Sequence, residues 1–128
     1  MTTWAEVKKY VHQKYKVEDV NDDLMKLLFE TSAGRSQLVF IEHAYNDSAE
    51  WIKMNSPLGK LDEVNIATAC RLISDKLMGG IVLHDDMVAV TNAMPIADLD
   101  ANEIDEPMAR LSMIADELER YLTGKDTW

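Results

Sequence analysis

Cysteine is nearly absent: Cys70 is the only one in 128 residues. No disulfide can form within the chain, so stability must come from a hydrophobic core. Long apolar runs are missing as well, and none approaches the ~18 residues that span a bilayer. Basic residues are scarce, with 13 Lys and Arg against 23 Asp and Glu, a formal net charge of −10 and a pI near 4.6. This balance argues against a nucleic-acid partner, because affinity for phosphate backbones comes from Lys and Arg. It disfavours an anionic membrane surface for the same reason. There is no Pro- or Ser-rich linker and no internal repeat. The first ten residues mix Trp, Glu and Lys, unlike a secretory signal, and the expected location is the cytoplasm.

Signatures of chemistry are also missing. Gly79-Gly80 stand after a helix pattern and before a strand pattern, the reverse of the strand–glycine–helix order that cradles phosphates. No nucleophile motif, paired cysteines or His-Glu metal motif occurs. No catalytic residue, cofactor or metal ligand is therefore assigned.

The length suits one domain, residues 1–128, able to bury about two thirds of its unfolded surface. Thr2 or Thr3 can cap a first helix, with Glu6 at capping-box spacing from Thr3. Trp4, Val7 and Val11 form its apolar face. Leu24–Glu30, Ser36–Tyr45 and Trp51–Ser56 read as three strands, separated by turns at Ser32-Ala33-Gly34 and Asn46-Asp47-Ser48. The middle strand is apolar on both faces, which predicts cover on both sides. A second helix is expected over about Asp62–Leu77, with Ile66, Ala69, Cys70, Ile73 and Leu77 as its buried stripe and Gly79 or Gly80 as its C-terminal cap. Ile81–Leu83 and Met87–Val90 flank the bend His84-Asp85-Asp86 as a β-hairpin, and Pro95 ends its second strand. The last helix carries Ile104, Met108, Leu111, Ile114, Ala115 and Leu118 at helical spacing, with Asp105 as its N-cap and Gly124 closing it. The expected fold is α+β: an antiparallel sheet of about five strands and three helices, in the order α-β-β-β-α-β-β-α.

Candidate functional residues are few. His43, near Asp47, has the makings of a general base with an orienting carboxylate, but no nucleophile accompanies it. His84 sits in a hairpin bend, where adjacent residues cannot converge on one ion. Glu103, Asp105 and Glu106 read as a helix start rather than a catalytic carboxylate pair. Methionines fit core filling first and an adaptable binding surface second. Trp51 alternates away from Ile52 and Met54, so either it or they face the less covered side. Tyr45, Trp51, Ile52 and Met54 are the candidate partner-binding residues.

SQLVFIEHA in the meander, a helix rich in small residues, GGIVLHDDMVAVTNAMPIADLD and the closing ELERYLTGKD together resemble the YbjN-like domains. These are bacterial proteins often labelled sensory-transduction regulators, which share a fold with type III secretion chaperones. The resemblance spans about Thr3 to Asp126 and implies a non-enzymatic protein-binding domain. It also implies a homodimer, with the second helix and neighbouring strands as the interface. By analogy with the chaperones, the partner is a client polypeptide lying across the surface. The competing reading is a small-molecule-responsive sensor or an enzyme using His43 or His84.

Overall fold

A computed structural model describes residues 2–31 and 34–123. Its elements run α1 (Trp4–Lys14), β1 (Val17–Asn21), β2 (Leu24–Glu30), β3 (Ser36–Asn46), β4 (Ala49–Lys60), α2 (Ile66–Ile73), β5 (Gly80–His84) and β6 (Met87–Pro95). A 3-10 turn over Ala101–Ile104 leads into α3 (Asp105–Thr123). The fold is α+β with three helices, as the sequence indicates, but the antiparallel sheet has six strands rather than five, in the order β1-β2-β3-β4-β6-β5. The extra strand is β1, VEDVN, which lies largely exposed at a sheet edge. Its acidic composition hides it from a hydrophobic pattern, and charge on an edge strand discourages unwanted pairing.

Local signals explain most boundaries. The Thr3 hydroxyl accepts from the Glu6 amide and starts α1. Gly34, φ +74°, takes up the bend before β3. The β5–β6 hairpin closes through two residues only, since His84 pairs with Met87, and Asp85 adopts φ +54° there.

Two expectations fail around α2. The preceding strand continues past Ser56 through Pro57 to Lys60, with a bulge between Pro57 and Gly59 against β6. The helix is thereby shortened to eight residues, capped by Asn65 at its start and ending at Ser74 rather than at a glycine. Gly79 instead enters β5 at φ +90°, with the carbonyl oxygen of Thr91 only 3.3 Å from where a Cβ would sit. Any side chain there would be both strained and crowded. Of the predicted stripe only Ala69 is buried: Ile66, Cys70 and Leu77 are exposed, so Cys70 is not a core residue.

α3 begins differently as well. Asp100 and Glu103 form the capping box ahead of the 3-10 turn, so Asp105 is the first helical residue and not the cap. The predicted cap Gly124 lies outside the described residues.

The core lies on one side of the sheet. Trp4, Val7 and Val11 from α1, with Met108, Leu111, Ala115 and Leu118 from α3, cover Met25, Leu27, Val39, Ile41, Ile52, Met54, Val88 and Val90. α2 packs beside β5 and α3. Three methionines, Met25, Met54 and Met108, fill this core completely, while Met113 stays exposed.

Candidate functional site

Strand alternation divides the candidate residues between two faces. In β4, Ile52 and Met54 point into the core and are fully buried, so neither is open to a partner. Trp51, Lys53 and Asn55 point to the opposite face, over which no helix lies among the described residues. Registers extend that face across the sheet. Phe40 pairs with Asn55, Glu42 with Lys53 and Ala44 with Trp51. Leu28 pairs with Leu38 on one side, while Thr91, Ala93 and Pro95 pair with Asn55, Lys53 and Trp51 on the other. Val82 opposite Ala89 continues the face to the β5 edge.

This face carries large apolar residues on either side of the Glu42–Lys53 pair. Leu38, Phe40, Trp51 and Val82 are half-buried, and Leu28 is 60% exposed. The strand predicted to be covered on both sides, β3, is covered on one. Two polar atoms here are shielded from water with no hydrogen-bond partner, Trp51 Nε1 and Asn55 Oδ1. A group left in that state costs about 1–3 kcal/mol. The sequence signal for the face was the alternation Leu38, Phe40, Glu42 in β3, and its extension through Leu28 and Val82 needed the register.

Tyr45 does not join Trp51. Its register partner is Glu50, so its ring lies on the helix-covered side of the sheet, at the far end of β3, where it is 70% exposed. There it tilts against His43 at 4.6 Å between ring centroids.

His43 is organised by residues other than Asp47. Its Nδ1 lies 3.1 Å from Asp23 and its Nε2 2.8 Å from Glu50. The ring stacks on Trp4 at 5.1 Å with planes 8° apart, and the Trp4 indole N–H donates to the Asp22 carbonyl at 2.8 Å. Both imidazole nitrogens are occupied by carboxylates, and the side chain is only 6% exposed. The cluster ties α1 to the β1–β2 turn and the β3–β4 hairpin. His84 is exposed beside the turn of its hairpin. Among the described residues no group of three or more His, Cys, Asp or Glu is placed to hold a metal ion.

A second polar cluster is invisible in the sequence because Asp105 lies 90 residues or more from its other members. Asp105 accepts hydrogen bonds from the Tyr10 hydroxyl, from Tyr15 at 2.5 Å and from Lys14 at 2.6 Å. Burial alone would raise the Asp105 carboxyl, but the bonds from Lys14, Tyr10 and Tyr15 outweigh it and hold it below the usual range. Burial, then the Asp105 carboxylate, pushes the Tyr15 phenol up to about 12. The bonded Asp105 carboxylate likewise raises the Lys14 ammonium and the Tyr10 phenol. The cluster fastens α1 to the start of α3.

No helix among the described residues is long and apolar enough to cross a membrane. No protein-family model matches the chain, and no curated protein is significantly similar to it.

Proposed function

We propose that the protein is a non-enzymatic binding domain, chaperone-like or regulatory, that holds an apolar segment of another polypeptide against the uncovered face of its sheet. One observation carries the reading: Leu28, Leu38 and Phe40 form an apolar patch on a sheet face that no element of the described chain covers, with Trp51 on the same face beyond the Glu42–Lys53 pair. Large side chains grouped in this way are the usual anchors of protein interfaces. Burying them releases about 25 cal/mol per Å² before ordering costs are subtracted. A segment that lets the Trp51 ring turn outward also gives its unpartnered N–H an acceptor. The free edges, β1 and β5, offer main-chain groups to an added strand.

Apart from the added strand β1, the order of elements is the one expected from the resemblance to the YbjN-like domains and the type III secretion chaperones. In those chaperones, small acidic homodimers hold an extended client segment. A cytoplasmic setting suits this reading.

Selection from a library of displayed peptides tests it. Enriched peptides should alternate apolar residues and lose at least tenfold in affinity for Trp51→Ala or Phe40→Ala, yet bind Tyr121→Ser unchanged. Peptides that bind Trp51→Ala as tightly as the parent protein would sink the proposal.

A further inference from the structure

On the helical side of the molecule, a groove of ≈ 1080 Å³ runs between the exposed flank of α3 and the segment joining α2 to β5. Its α3 wall presents Glu106, Arg110, Met113, Glu117 and Arg120. These positions are spaced four, three, four and three residues apart, the seam of a helix that packs along another helix. Read from one end their charges run minus, plus, neutral, minus, plus. Reversed, the same row reads plus, minus, neutral, plus, minus. Each position therefore meets its opposite when the seam is laid antiparallel on a copy of itself.

We infer that this groove, rather than the second helix and its neighbouring strands expected from the resemblance, is a self-association surface, and that its occupant is a second copy of this chain, with α3 packed antiparallel on α3 about a two-fold axis at Met113. Glu106 then faces Arg120 of the second copy, Arg110 faces Glu117, and Met113 meets its own counterpart, each contact occurring twice as an isologous interface requires. A parallel arrangement would set like charges side by side.

Three further features favour a second copy. Two chains of net charge −10 repel each other, so their contact needs a surface that is locally neutral, and this seam holds two acids and two bases. Arg110 and Glu106 pair only within their own exposed helix turn and are 65% and 74% exposed, and Glu117, which meets Lys76 at 3.1 Å and is 57% exposed, can turn to the second copy's Arg110 by giving up that surface pair. Leu77 stands fully out of the groove's opposite wall and Met113 is 61% exposed, and the interface shields both from water. The seam spans about 21 Å at 1.5 Å per residue. The sheet face proposed for client binding points away from it, so the inference does not depend on that proposal.

Sedimentation at several protein concentrations tests the inference on the intact chain. The parent should dimerise, more weakly as salt rises. Met113→Asp should leave a monomer, and Arg120→Glu should weaken the dimer at least tenfold. The pair Glu106→Arg with Arg120→Glu should restore it, a rescue that misfolding cannot mimic. In a Cys70→Ser background, Met113→Cys should form a disulfide-linked dimer on oxidation. A parent monomeric at about 100 μM would overturn the inference, as would a dimer indifferent to Met113→Asp and Arg120→Glu. So would a dimer lost on Trp51→Ala instead.

Discussion

On β4, Ile52 and Met54 alternate with Trp51 and Lys53, and neighbours one peptide apart meet different surroundings. Ile52 and Met54 lie beneath the helices and lose all contact with water, while Trp51 and Lys53 point out from a sheet face that no described helix crosses. Both faces carry large apolar residues, although the Glu42–Lys53 pair interrupts the open one. What separates them is the roof. α1 and α3 are joined to each other by Asp105, and α1 is joined to the sheet turns by His43. The covered face spends its apolar residues on stability, whereas on our reading the open face keeps them for a partner.

That contrast can be broken most forcefully from beneath the roof. Met54→Ala should destabilise the protein by about 2–5 kcal/mol, the cost of a cavity in a well-packed core. Trp51→Ala, on the other face, should cost about 1 kcal/mol. Urea unfolding of the two variants measures the difference, and equal losses would mean the open face is packed after all.

Loosening the roof is the next largest change. Asp105→Ala leaves two tyrosine hydroxyls and Lys14 without their shared acceptor, and should cost about 1–3 kcal/mol. Binding of a hydrophobic dye should rise as α1 parts from α3.

The same cluster sets a pH dependence. Because the Tyr15 phenol titrates near 12 in the fold and near 10.0 when free, its contribution is fully present below pH 10 and is lost as pH climbs towards 12. Tyr15→Phe should flatten the alkaline limb of a thermal-unfolding profile. The depressed Asp105 carboxyl works in the opposite direction. Its contribution is present above the ordinary carboxylate value and disappears as pH falls through the lower folded value, so Asp105→Asn should flatten the acid limb.

The smallest effect belongs to the open face itself. Leu28→Ser should change stability by no more than about 0.5 kcal/mol, while measurably lowering the affinity of selected peptides.

Much of this architecture was legible in the sequence. The Thr3 cap, the α1 stripe, strands β2 and β3, the β5–β6 hairpin and the buried face of α3 all follow from periodicity and turn chemistry. β1 was not, because its pairing with β2 rather than burial holds it in place. The sequence pattern makes α2 too long because the apolar Leu58 and Ile66 flank a region where strand and helix patterns merge. Cys70 fits a core position in the sequence because an amphipathic stripe shows which residues are apolar, but not whether anything lies against them. The candidate surface was half legible: alternation separated Trp51 from Ile52 and Met54 but gave no sign of which side lay open.

The chain alone determined the helices and all but one of the strands, the acidic character and the alternation that divides each strand in two, since these depend on neighbours within a few residues. Only the tertiary structure decided which half of the alternation faces the helices, that His43 takes Asp23 and Glu50 as partners, and that Tyr10, Lys14 and Tyr15 converge on Asp105. Those outcomes depend on contacts between residues far apart in the chain, and no local pattern encodes the side of a sheet on which a distant helix comes to rest.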